Sequence, residues 1–160
     1  MMDSSMPSAQ PQPAIELIDD QPNLLMGLVG GVAAMLVGAI VWGAISYFTE
    51  YQIGWMAIGV GFLVGVAIKY FGKGKSPLYG ISGAVLALIG CLLGNLLFYA
   101  SIIAREEGLP FLNVFFLILL SPAAAVEIFT VAFDFMDILF YGLAAYTGFS
   151  TAMGRTRTRR

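Results

Sequence analysis

The sequence predicts an all-α fold: an integral membrane helical bundle of about four transmembrane helices, with a short broken segment, interfacial or re-entrant, over about residues 111–133. Three observations predict it. Of 160 residues 59% are hydrophobic and 11% charged, and mean hydropathy is +0.85, whereas an ordinary soluble domain is about 45–50% apolar. The charges gather into short clusters. Between the clusters lie apolar runs close to the roughly 20 residues that cross a 30 Å hydrocarbon core as a helix, which satisfies its own backbone there.

Residues 1–22 are rich in Pro, Ser, Gln and acid, with too little apolar surface to build a core. They are expected to form a disordered acidic tail. No basic stretch precedes the first apolar run, so a cleaved signal peptide is not expected and that run should remain in the mature protein.

The membrane domain is expected over residues 23–153. No charge occurs between Asp20 and Glu50, and residues 24–48 read as the first span, with Asn23 as its N-cap. A tight hairpin over residues 49–52 leads to a second span at 53–71, whose Lys69 stands near the end, where a long side chain can snorkel to the interface. Gly72-Lys-Gly-Lys-Ser-Pro77 turns the chain, and residues 78–103 form a third span, uncharged until Arg105. Phe111 to Leu120 is intensely apolar but covers ten residues, which rise only about 15 Å as a helix. Ser121-Pro122 breaks that run, and Pro122 can open a new helix at its first position, running through Glu127 towards Asp134. Residues 135–153 read as the last span, and residues 154–160 as a basic tail.

Charge sets the expected orientation. Lys69, Lys73 and Lys75 fall on the same side as Arg155, Arg157, Arg159 and Arg160 only if residues 108–133 make zero or two crossings. That favours four spans over five and places both termini in the cytoplasm. The contrast between acidic front and basic back is a topology signal, and no nucleic-acid partner is expected.

Several chemistries are disfavoured. With no histidine, the chain lacks the commonest general base and metal ligand. The single cysteine, Cys91, lies in an apolar run and reads as a small buried hydrophobe. Gly74-Lys75-Ser76 resembles the end of a phosphate-binding loop, but Lys69 stands where the first glycine is required. Gly59-Val-Gly61 lacks the third glycine of a dinucleotide fingerprint. The expectation is no enzyme, no metal and no cofactor.

Candidate residues remain. Gly27 and Gly31, Gly61 and Gly65, and Gly90 and Gly94 are Gly-x-x-x-Gly pairs that let helices approach closely, within this chain ahead of any homo-oligomer. Trp42, Tyr47, Tyr51 and Trp55 read as interface anchors around the first hairpin. Asn95, an amide inside the third span, needs a partner; Ser46 or Tyr47 of the first span are the expected ones, ahead of a ligand. Glu127 and Asp134, seven residues apart, would share a helix face continued by Tyr141, with Asp137 close by. They could form a polar or ion site at a discontinuous helix. Solvated carboxylates at the interface, with Asp134 as a helix cap, are the simpler reading and the expected one.

Ile53-Gly-Trp-Met-Ala-Ile-Gly-Val-Gly-Phe-Leu-Val-Gly65, Phe71-Gly-Lys-Gly-Lys-Ser-Pro-Leu-Tyr-Gly80, Gly90-Cys-Leu-Leu-Gly-Asn95 and Asp137-Ile-Leu-Phe-Tyr-Gly142 together resemble a family of small bacterial multi-pass inner-membrane proteins without an established activity. The resemblance covers roughly residues 24–150. It implies a bacterial inner membrane and supplies no catalytic residue. Some members carry a cysteine-rich, zinc-ribbon-like amino terminus; this chain has no such cysteines, so no metal role carries over. The expected function is a structural, accessory or interaction component in the lipid bilayer, able to meet a protein partner through its N-terminal tail. The alternative is a small oligomeric channel or transporter with an acidic site near Glu127 and Asp134.

Overall fold

The computed structural model describes residues 21–49, 51, 54–132 and 135–154. The acidic tail to residue 20, Glu50, Asp134 and the arginines from 155 onwards lie outside them. The described residues are 88% helical with no strand. Six helices follow in order: α1 Leu24–Thr49, α2 Trp55–Gly72, α3 Pro77–Glu106, α4 Phe111–Leu120, α5 Pro122–Ala132 and α6 Phe135–Met153.

The ends are set by local chemistry. Asn23 Oδ1 accepts from the Met26 amide at 3.2 Å, capping α1. Lys73 takes a left-handed conformation (φ 50°) after α2 and donates its amide to the Lys69 carbonyl. Ser76 caps α3 with Pro77 at the first helical position. Pro122 likewise opens α5, and the Ser121 hydroxyl accepts from the Ala124 amide.

Glycine contacts give each helix its direction. Gly27 faces Gly72 and Gly38 faces Val60, so α1 and α2 are antiparallel. Gly31 meets Leu86 and Gly43 meets Leu97, so α1 and α3 run parallel. Gly54 meets Phe140, Gly61 meets Ala144 and Gly65 meets Gly148, so α2 and α6 are also parallel. Gly83 faces Gly148 and Gly80 faces Phe149, which makes α3 and α6 antiparallel. α2 and α3 touch each other, and each packs on both α1 and α6. The result is an up-down-up-down bundle.

One end gathers Asn23, whose amide donates to Gly72 O at 2.9 Å, the lysine turn packed on Tyr79, and Gly154 beside Lys69. The start of the basic tail therefore shares an end with the lysine turn. The opposite end carries Thr49, Gly54 and residues 105–107.

α1, α2 and α3 are long and apolar enough to cross a membrane. α6 is less apolar, carrying Asp137 and hydroxyls at Tyr141, Tyr146, Thr147, Ser150 and Thr151, but at 19 residues it is about 28 Å long and lies against α2 and α3. α4 and the first part of α5 meet at a bend of 95°. Because α6 is antiparallel to α3, this pair leaves and rejoins the bundle at the same end and makes no net crossing. α4 lies along the last part of α3, with Val114 and Ile118 in one buried cluster with Leu96, Ala100 and Ala104, and Ile128 of α5 packed on it. The segment is thus a bent helical pair held against one end of α3.

The interior is rich in small residues around a few large ones such as Trp42 and Ile68. Ala39, Ala57, Ala87, Ala100, Ala104, Ala144 and Ala152 are buried, whereas Leu25, Val37, Phe62, Phe71, Leu78 and Leu120 face outwards. A soluble core would reverse this. In lipid, which is as apolar as leucine, burying bulk gains nothing and close backbone approach gains dispersion contacts.

Candidate functional site

The polar side chains inside the bundle form a ladder between α3 and α6. On α3, Cys91, Asn95 and Tyr99 recur every four residues and so lie along one face. On α6, Asp137 and Tyr141 do the same. The two rails join where Asn95 Nδ2 donates to the Tyr141 hydroxyl oxygen at 2.5 Å. Asn95 is 2% exposed and Tyr141 8%, so this bond is made out of reach of water and lipid headgroups. Asp137 is half-buried one turn from Tyr141 and within electrostatic reach of Tyr99 and Tyr141. Below, the Cys91 thiol is fully buried and points at the Ala57 carbonyl of α2 at 4.0 Å, a weak donor in a packed seam.

α1 completes the surroundings. Trp42 and Ser46, one turn apart, are 1% and 0% exposed. Among the described residues, Trp42 Nε1 and Ser46 Oγ are buried without a hydrogen-bond partner. Trp42 stacks its ring on Gly94, where a Cβ would come within 3.1 Å of Trp42 Cδ2.

Two expectations change here. Asn95 pairs with Tyr141 of α6, and the Ser46 hydroxyl has no hydrogen-bond partner among the described residues. With α1 parallel to α3, the tryptophan takes the α1 position level with Gly94, and Ser46 falls a turn further on. Trp42 is consequently a core residue and not an interface anchor, because the glycine opposite makes room for an indole. Tyr51 and Trp55 are exposed at the bundle end, and Tyr47 is half-buried.

The four candidate polar residues divide. Asn95 bonds Tyr141, and Asp137 lies one turn before Tyr141 on α6. Glu127 is exposed on α5, and Asp134 is outside the described residues. The stripe expected to run from Glu127 through Asp134 to Tyr141 turns on Asp134, which lies outside the described residues. Tyr99 belongs to the ladder without being a sequence candidate; the four-residue spacing from Cys91 and Asn95 is the signal that reveals it. The glycine pairs all face helices of this chain: Gly27 and Gly31 meet α2, Gly61 and Gly65 meet α6, and Gly90 and Gly94 meet Val60 and Trp42 respectively.

Chemically, an amide, two phenols and one carboxylate can fasten two helices or hold a proton or cation between them. They do not constitute a nucleophile with its base. Comparisons with protein-family models, with characterised proteins and with solved structures return no match for this chain.

Proposed function

We propose that the chain is a multi-pass protein of the bacterial inner membrane, without catalytic activity, that serves as a structural, accessory or interaction component. Both termini face the cytoplasm, and residues 1–22 offer an acidic segment to a protein partner. The observation that carries this reading is the closed interior. Gly61 lies against the Ala144 carbonyl and Gly83 against the Gly148 carbonyl, backbone on backbone, and the central amide is committed to a helix-to-helix hydrogen bond. An interior packed in this way leaves its exposed faces for recognition. The orientation is supported by the shared end of the lysine turn and Gly154.

The bent α4–α5 pair supports a second reading, a small oligomeric channel or transporter, because discontinuous helices build many transport sites and Glu127 stands on this one. Proteoliposome flux separates the two. A saturable cation flux from the unmodified protein that disappears in Glu127→Gln, Asp134→Asn would overturn the accessory reading. Recovery of one protein from native membranes, lost when residues 1–22 are removed, is the result expected if that reading holds.

A further inference from the structure

Two cavities at the end opposite the lysine turn share Tyr47 and Arg105. The larger, about 640 Å³, is a groove between α1 and α3, bounded by Gly43 and Ala44 on one side and by Leu97, Ser101 and Ala104 on the other. Its volume lies within the roughly 300–1,000 Å³ typical of ligand sites. The smaller, about 450 Å³, adds Glu106 to Arg105. We propose that together they bind one phospholipid with a zwitterionic amino headgroup, of the phosphatidylethanolamine class: an acyl chain in the groove, the phosphate on Arg105 and the ammonium on Glu106.

Three observations select this occupant. The groove opens beside Gly43, Ala44 and Ser101, is closed off by apolar Leu109 and Phe111, and its flanks, Ile40 (61% exposed) and Phe48 (82% exposed), are apolar side chains turned outwards, so hydrocarbon is what reaches it. Arg105 is in the last turn of α3, a helix of 30 residues that rises about 45 Å. That exceeds the roughly 30 Å hydrocarbon core and sets the guanidinium at headgroup depth, with the half-buried Tyr47 ring at the boundary. Finally, Arg105 is followed directly by Glu106 and Glu107. A net-anionic headgroup would meet more negative charge than positive, whereas a zwitterion gives each sign a partner. The proposal rests on the membrane embedding of α1 and α3 and not on the accessory role.

The test is competitive retention. Purified full-length protein is equilibrated in mixed micelles holding equimolar phosphatidylethanolamine and phosphatidylglycerol with identical acyl chains, and bound lipid is counted by native mass spectrometry. Phosphatidylethanolamine should be retained over phosphatidylglycerol by about fivefold, the upper end of what one exposed ion pair supplies. Arg105→Gln should lower retention of both lipids, Glu106→Gln should abolish the preference, and Ala44→Phe should fill the groove and release both. All three positions are exposed, and melting temperatures verify that the variants fold. Equal retention of the two lipids by the unmodified protein, or unchanged retention in Ala44→Phe, would overturn the proposal. Should the groove variant fail to fold, the rim variant Glu106→Gln still decides the headgroup assignment.

Discussion

A single methyl group added to different glycines should have effects of opposite sign. Alanine in a helix gains about 0.5–1 kcal/mol over glycine by its smaller entropy loss. At Gly59 nothing lies within 4 Å of the new Cβ, so Gly59→Ala should keep that gain. At Gly90 the Cβ would stand 2.9 Å from Val60 Cγ1 and 3.1 Å from Met35 Cγ. Val60 is buried and β-branched, so it yields only at some cost, and that cost should roughly cancel the gain. At Gly61 it would overlap the Ala144 carbonyl, which cannot rotate away without moving α6. Overpacking costs about 1–3 kcal/mol, so Gly61→Ala should lose about 1–2 kcal/mol net. With about 2–4 °C per kcal/mol for a chain of this size, Gly59→Ala should melt a few degrees above the unmodified protein and Gly61→Ala several degrees below it. Leu63→Ala serves as the control, since Leu63 is a partly exposed side chain that hydrocarbon replaces at little cost. Leucine at Gly61 should exceed all of these. Thermal melting in mild detergent reads the series, and Gly61→Ala melting at or above Gly59→Ala would refute the close α2–α6 approach.

The Asn95–Tyr141 bond should show in a double-mutant cycle: Tyr141→Phe alone leaves a buried amide donor without its acceptor and should cost about 1–2 kcal/mol. Asn95→Leu with Tyr141→Phe should cost less than the sum of the singles; strict additivity would mean that the two side chains do not act on one another. Orientation is read by single cysteines at Ser5 and Thr158 in a Cys91→Ala background. Both should be silent to an impermeant thiol reagent in intact cells and reactive after lysis, and modification of either in intact cells would refute the cytoplasmic termini.

Much of the fold was legible because the bilayer simplifies the problem. Apolar runs with little or no charge mark the helices directly: the runs at 24–48 and 135–153 are helical, in α1 Leu24–Thr49 and α6 Phe135–Met153. Pro122 and the short apolar run before it announced the broken segment, since ten residues cannot cross and a proline cannot continue a helix. What could not be read was which face meets which. Trp42 has the residue type of an interface anchor and the surroundings of a core residue, and only the opposing Gly94 decides between them. Asn95 faced the same ambiguity: a span sequence gives the depth of a polar group but not its azimuth. The Glu127 stripe depends on Asp134, which lies outside the described residues; of its members, Tyr141 is engaged by Asn95 and Glu127 is exposed.

Topology and packing are linked in this molecule, so the labelling and melting experiments constrain one another. α2 and α6 can lie parallel only if the chain between α3 and α6 makes no net crossing. A cysteine at residue 158 found on the side opposite the lysine turn would require α6 to run antiparallel to α2. Gly61–Ala144 and Gly65–Gly148, which are level with each other only in the parallel arrangement, could not then both be in contact. In that case Gly61→Ala would show the propensity gain of Gly59→Ala and no clash. The absence of a net crossing between α3 and α6 thus predicts a joint result, a cytoplasmic residue 158 together with a destabilised Gly61→Ala. Either half of it without the other would break the reasoning that connects charge at the helix ends to glycine in the seams.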